Sequence, residues 1–397
     1  MRNPLRRKKS LVPGEPRSGI TTVTGVPSRA NLHEGTSASY AELYRSSPAV
    51  QAVVRFLADN VSQLPLHGFM REGERGRKRL PPRDPLELVL AQPNARTPGS
   101  QFIRDLVADV ALYGNHFSLL VRDDDDRVGA LVRVPPASVS MLSLDTTEPA
   151  AFRVQFGVGS KEYGPDDLMH VRTYNPADSR IGVSPLEALR GVLAEDAAAV
   201  RHRAYFWRNA ARNEGVIERP ADAPEWDQDT RDRFREDWQA MHTGEGGGKT
   251  AILEDGMAYK PHAFSPKDSE YIASRRLSLE IVAAVFGVPL QLIAQGDRNV
   301  AEARRVLLQE VLPPWTSLIA AELNSSLVPA VSGEQAVFGR IFVEFDLRGK
   351  LAGSFKEQSD GLETAVGGPY MTPNEARRLQ NLPDVEGGDA LYRATGG

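Results

Sequence analysis

Residues 184–212 read SPLEALRGVLAEDAAAVRHRAYFWRNAAR. Ser184 supplies an oxygen to cap a helix, Pro185 suits its first turn, and beyond them the one helix-weakening residue is Gly191. Leu186, Leu189, Leu193, Ala197, Val200, Ala204 and Trp207 recur at helical spacing as a single apolar stripe. At 1.5 Å rise per residue the helix is about 40 Å long, a strut rather than a short surface helix. A stripe ending on Trp207 could hold a cofactor, but apolar residues at this spacing usually pack, and packing against a neighbouring copy of the chain is the favoured reading.

A second strut answers the first. Ser265-Pro266 opens it, Asp268 and Glu270 stand in its first turn where the helix dipole favours them, and Gly287-Val288-Pro289 ends it. Between the struts the pattern predicts a strand at 215–219, a short helix at 227–242, and strands at 250–253 and 258–264. The chain goes out along one strut, builds a small β-α-β-β unit, and returns along the other.

Upstream, residues 1–38 are rich in Pro, Gly, Ser, Thr and Arg without periodicity, which reads as a mobile arm or an early extended segment. Helical order is predicted from Ser47-Pro48, with Val50, Val53, Val54, Leu57 and Val61 on one face up to Leu64-Pro65. A hairpin is expected over 66–80, a helix over 100–113, and short strands at 116–121, 129–134, 138–142, 152–156 and 168–174. This is an α+β region with an antiparallel sheet. Downstream, Asn299 with Glu302 resembles a capping box opening a third long helix, and Pro313-Pro314 inside that helix should kink it. A strand over 341–347 and a small helical C-terminal region follow, the latter announced by Thr372-Pro373-Asn374-Glu375.

Composition narrows the function. Forty-eight Lys and Arg against 52 Asp and Glu give a formal charge of -4, which argues against a surface that grips nucleic acid by bulk charge. There is no cysteine, so disulfides and thiolate metal sites are excluded. Apolar runs are too short to span a bilayer, and the basic start (Arg2, Arg6, Arg7, Lys8, Lys9) leads into Leu11-Val12-Pro13-Gly14 instead of an apolar signal region, so synthesis in the cytosol is expected.

Six phrases in order resemble the portal protein family of long-tailed double-stranded DNA phages. They are Ser46-Ser47-Pro48-Ala49-Val50, Pro93-Asn94, Gly182-Val183-Ser184-Pro185-Leu186, Phe286-Gly287-Val288-Pro289, Leu312-Pro313-Pro314-Trp315, and Thr372-Pro373-Asn374-Glu375-Ala376-Arg377 with Leu382-Pro383. The resemblance implies a non-enzymatic, twelve-subunit ring around an axial DNA channel at one capsid vertex, serving packaging, head-tail connection and ejection. It implies a wing over 39–183 after the arm, stem helices at 184–212 and 265–287, a clip at 213–264, and a tunnel loop at 288–300. A kinked tunnel helix at 301–328, a return to the wing at 329–352 and a crown at 353–397 complete the order. Implied partners are duplex DNA, the terminase, a head-tail adaptor and the major capsid protein, with no membrane and no cofactor. The location implied is the virion, after assembly in the host cytoplasm. Gln291, Gln295, Asp297, Arg298 and Asn299 would face the channel, although an ordinary surface turn is the plainer reading of those polar residues.

Other motifs weigh less. Thr243 to Thr250, with Gly246, Gly247, Gly248 and Lys249, is one glycine short of a phosphate-binding P-loop. A real one follows a strand and opens a helix, whereas here a helix precedes and a strand is expected after, so a flexible clip loop is favoured over a nucleotide-binding enzyme. Asp123 to Asp126 reads as a solvated hairpin turn before a cation site. No HExxH helix or Gly-x-Ser-x-Gly elbow is present. A helical adaptor that needs no ring remains the third reading.

Overall fold

The computed structural model describes residues 21–23, 39–72, 76–143, 151–208, 215–220, 222–242, 253, 256–261, 268–294, 299–333, 339–347, 350, 355–367, 370–379 and 382–391. Within them the chain is mixed helix and sheet. Strand β1 (Thr21–Val23) lies inside the segment read as an arm. Helix α1 (Tyr40–Ser46) precedes α2 (Pro48–Ser62), so helical order begins earlier than Ser47. The signal was there: Ser39 Oγ accepts from the Glu42 amide while Glu42 Oε2 accepts from the Ser39 amide, a complete capping box.

The hairpin β2 (Leu66–Glu72) and β3 (Gly76–Arg79) leads to α3 (Pro85–Ala91), a short helix capped by Asp84, and α4 (Gly99–Tyr113). Then come β4 (Asn115–Arg122), β5 (Val128–Val134), β6 (Val139–Ser143), β7 (Ala151–Phe156), β8 (Gly159–Tyr163) and β9 (Leu168–Arg172). The expected antiparallel sheet is divided. One sheet has the order β5-β4-β9, a second β1-β6-β7-β8, and a third joins β2 and β3 to a strand from far downstream, all antiparallel. Such a split is invisible to period-2 alternation, which reports burial of a face but not which strands pair.

Helices α2 and α4 pack against each other, and α4 against β4, in a core that includes Val50, Val54, Leu57, Val61, Leu106, Val107 and Val110, all buried. The Asp123–Asp126 turn is a self-capped hairpin: Asp123 Oδ1 accepts from the Asp125 and Arg127 amides, and Asp126 takes a left-handed φ of 63°.

The struts are α5 (Leu186–Arg208) and α7 (Asp268–Val285). Between them β10 (Gly215–Glu218), α6 (Gln228–His242) and β11 (Ala258–Pro261) form the excursion, with β10 and β11 paired antiparallel. The strand expected at 250–253 falls outside the described residues except for Leu253, which is not in a strand.

The third long helix is α8 (Val300–Val306), a π turn (Leu307–Val311), α9 (Leu312–Glu322), a second π turn (Leu323–Leu327) and α10 (Val328–Ser332). The capping box expected at its start does not form. Asn299 makes no side-chain cap bond, and the Glu302 carboxylate that would reach back to the Asn299 amide is held in a forked pair with Arg305 at 2.9 and 2.5 Å. Strand β12 (Ile341–Phe345) then pairs with β2. Helices α11 (Phe355–Gly367) and α12 (Pro373–Leu379) end the described chain. At α12 the expected box is present: Glu375 Oε2 accepts from the Thr372 amide and Thr372 Oγ1 from the Glu375 amide.

Candidate functional site

The root of the first strut is a backbone-to-backbone junction. Gly114 ends α4 in a left-handed conformation, φ 70°, and Gly182 lies so close that an added Cβ would sit 2.0 Å from the Gly114 carbonyl oxygen. Asn115 bonds both sides of Gly182: its Nδ2 donates to the carbonyl and its Oδ1 accepts from the amide, each at 2.8 Å. Thr173 Oγ1 donates to the Val183 carbonyl, and Ser184 Oγ donates to the Leu112 carbonyl while accepting from the Leu186 amide. Tyr40 OH donates to Glu187, which also accepts from Arg190, so α1 braces the first turn of α5; burial and Glu187 push the Tyr40 phenol up to about 12.

From that root α5 leaves the core. Leu186, Leu189 and Leu193 are buried, whereas Val200 is 37 % exposed. On α7 the order reverses: Leu277 is 55 % exposed and Val282, Ala283 and Phe286 are buried. Both struts are therefore seated in the core at one end and each exposes an apolar side chain, Val200 or Leu277, farther along, and Asp196 and Arg275 link them at 3.9 Å. At their far end Trp226, Phe234, Trp238 and Tyr259 stack into a small aromatic cluster, with Arg219 4.2 Å from the Trp226 ring.

The return strut stops on a glycine cap. Gly287 has φ 67°, its amide donates to the Ala284 carbonyl, and the Val288 amide donates to the Ala283 carbonyl, after which Pro289 prevents further helix. Gln291 and Asn299, two of the five proposed channel residues, are exposed on either side of the next break; Gln295, Asp297 and Arg298 lie outside the described residues. So do Gly246, Gly247, Gly248 and Lys249, which follow the end of α6 at His242. Gln291 lines a cleft of ≈ 430 Å³ together with Phe56, Asn60, Arg304 and Lys350. Lys350 Nζ donates to the Asn60 carbonyl and side chain, and burial lowers its ammonium below the usual lysine range. Pro313 and Pro314 open α9 directly after the first π turn. The rings would strike the carbonyls of Gln309 and Glu310 in a regular helix, and the wider turn displaces those carbonyls.

One cluster was not legible in the sequence. Ser118 Oγ, His116 and Asp109 form a relay at 2.8 and 2.9 Å, with Arg133 forked onto Asp109 at 2.7 and 2.5 Å. The order is that of a nucleophile, base and orienting acid, yet Ser118 and His116 are 0 % exposed and Asp109 1 %. No substrate can reach the hydroxyl, and the relay satisfies buried polar groups between α4 and β4. Among the described residues no group of three His, Asp or Glu is placed to hold a metal, and no helix is long and apolar enough to cross a membrane.

The fold defines a class: mixed helix and sheet with two long helices flanking a small excursion. Residues 48–381 match the family model described as phage portal protein, and the chain belongs to that family. It is 22% identical to the portal protein of Enterobacteria phage HK97 over 92% of this chain and 86% of that one. It is 24% identical to the probable portal protein of Streptomyces phage phiC31, covering 86% and 75%. Among solved structures, a chain from the neck of a native gene transfer agent particle computed with C12 symmetry aligns with a TM-score of 0.60 at 23% identity, over 91% of this chain and 98% of that one. An HK97-family phage portal protein from Corynebacterium diphtheriae aligns with a TM-score of 0.60 at 19% identity, covering 81% and 99%.

Proposed function

We propose that this chain assembles into a closed ring of twelve at one capsid vertex, and that duplex DNA passes through its bore during packaging and ejection. The observation that carries the reading is the family match across 48–381 coinciding with two struts that expose Val200 and Leu277 beyond the core. The twelvefold count is taken from the gene transfer agent neck. Twelve helices about 10 Å apart place their axes about 19 Å from the centre, and helix radii of about 5.5 Å leave a bore near 27 Å. B-DNA, about 20 Å across, passes with little clearance.

In this reading 39–183 forms the wing, α5 and α7 the stem, and the excursion between them the clip that meets the terminase and later a head-tail adaptor. Residues 288–300 face the bore, the helix carrying Pro313 and Pro314 bends beside them, β12 returns to the wing, and α11 and α12 belong to the crown. The wing rim meets the major capsid protein, and the chain does no chemistry of its own. Ring assembly takes place in the host cytoplasm and the finished ring resides in the virion. Mass measurement and negative-stain images of the purified protein test it: a closed ring with a central hole supports the proposal, and a lone subunit under assembly-preserving conditions sinks it.

A further inference from the structure

The sheet β12-β2-β3 buries one face and opens the other. Ile341, Val343 and Phe345 are buried, and a Cβ at Gly68 would meet Leu80 and Leu86, so that face lies against α3. On the open face Phe69 and Phe342 stack with centroids 5.7 Å apart. Arg77 lies 4.8 Å over the Phe69 ring and Arg71 5.2 Å over Phe342. Arg71 and Arg77 stand directly opposite across the ladder, Arg79 stands opposite Phe69, and the Arg71 amide bonds the carbonyl of Arg340. All four arginines are exposed.

The charges do not cancel. Glu344 pairs with Arg77, and Glu87 stands 3.7 Å from Arg79, but Arg71 and Arg340 have no ion pair among the described residues. Like charges opposite one another weaken a ladder. Cations on an edge strand ordinarily guard it against pairing, which accounts for Arg77 and Arg79 on β3 and serves equally for Arg340 beside the other edge, β12. Arg71 lies on the central strand, where no edge needs guarding. Laying guanidinium planes on aromatic rings also orders them in advance, so less entropy is lost when they meet an anion.

We propose that this face is a second contact for duplex DNA, separate from the bore, that holds the sugar-phosphate backbone without reading bases. The inference rests on the portal reading for the presence of DNA. Duplex DNA is the occupant that fits, because the rings are already covered and the face offers regular positive charge in place of pockets for side-chain anchors. Three strands about 4.8 Å apart spread the guanidiniums over roughly 10 Å, the reach of two or three phosphates.

The test uses the assembled protein and a labelled duplex of about 30 base pairs, in two unrelated sequences, at several salt concentrations. Wild type should bind both equally, and Arg71→Gln with Arg340→Gln should weaken binding about tenfold and reduce the salt slope by about two. Mass measurement confirms that the variant still forms the wild-type assembly, and Arg71→Lys with Arg340→Lys should keep most of the slope. An unchanged slope in the glutamine variant overturns the proposal while leaving the portal reading intact. Tighter binding of a polyglutamate peptide than of duplex overturns it in favour of an acidic protein partner. Failure of the wild type to form a ring strikes the portal reading itself.

Discussion

At the scale of single residues, the strongest constraints sit at the root of the first strut. Gly182→Ala would drive a methyl group into the Gly114 carbonyl, and its cost should lie at or above the upper end of about 1–3 kcal/mol, read from urea unfolding. A cost below about 0.5 kcal/mol would mean that the junction yields. His170 supplies a pH prediction. It is stacked on Phe117 at 4.3 Å and bonded through Nε2 to Asn115 Oδ1, and burial first, then Arg172 and His116, lower its pKa from 6.5 to about 3. The unfolded chain therefore takes up this proton first as pH falls. The contribution to stability is complete above about pH 6.5 and is lost between there and about 3, at up to about 1.4 kcal/mol per pH unit. His170→Phe should flatten the difference in urea midpoint between pH 7 and 5 relative to wild type, and an identical pH dependence in the two proteins would count against it. The glycine phrase was legible before the structure, but its reason was not: only the fold brings Gly114 and Gly182 together across 67 intervening residues.

At the scale of elements, the struts make the sharpest forecast. Val200→Asp and Leu277→Asp replace exposed apolar residues, so each subunit should keep its fold to within about 0.5 kcal/mol while the assembly is lost, as measured by circular dichroism melting and by mass. Retention of the full assembly by the double variant would show that the struts do not pack between copies. The third long helix shows where local reading reaches its limit. Pro313-Pro314 announced a break, and the break is a π turn; the second π turn, Leu323–Leu327, precedes Pro329 and places Asn324 to bond both the amide and carbonyl of Val343 in β12. Asn324→Ala should therefore loosen β12 and cost about 1–3 kcal/mol through two unsatisfied backbone groups, seen as faster amide exchange at Val343.

At the scale of the whole molecule, the near-neutral balance and the local arginine face act at different distances. A formal charge of -4 gives no long-range grip, which suits a conduit through which a polyanion must slide. A short array of guanidiniums acts only within about 10 Å at 0.1 M salt, so it can touch DNA at one face without arresting it in the bore. Trp226, Phe234, Trp238 and Tyr259, all half-buried, lie ring to ring and hold α6 against β11 within the excursion between the struts.

The sequence by itself determined the longer helices, both struts, most short strands and the breaks at Gly287 and Pro313, because caps, prolines and hydrophobic period act over a few residues; the short helices α1 and α3 escaped it. Only the tertiary structure decided which strands share a sheet, that Asp109, His116 and Ser118 meet in the core, and that Arg71, Arg77 and Arg340 converge on one open face. Those facts depend on contacts between distant segments, whose geometry is set by packing and leaves no periodic trace in the chain.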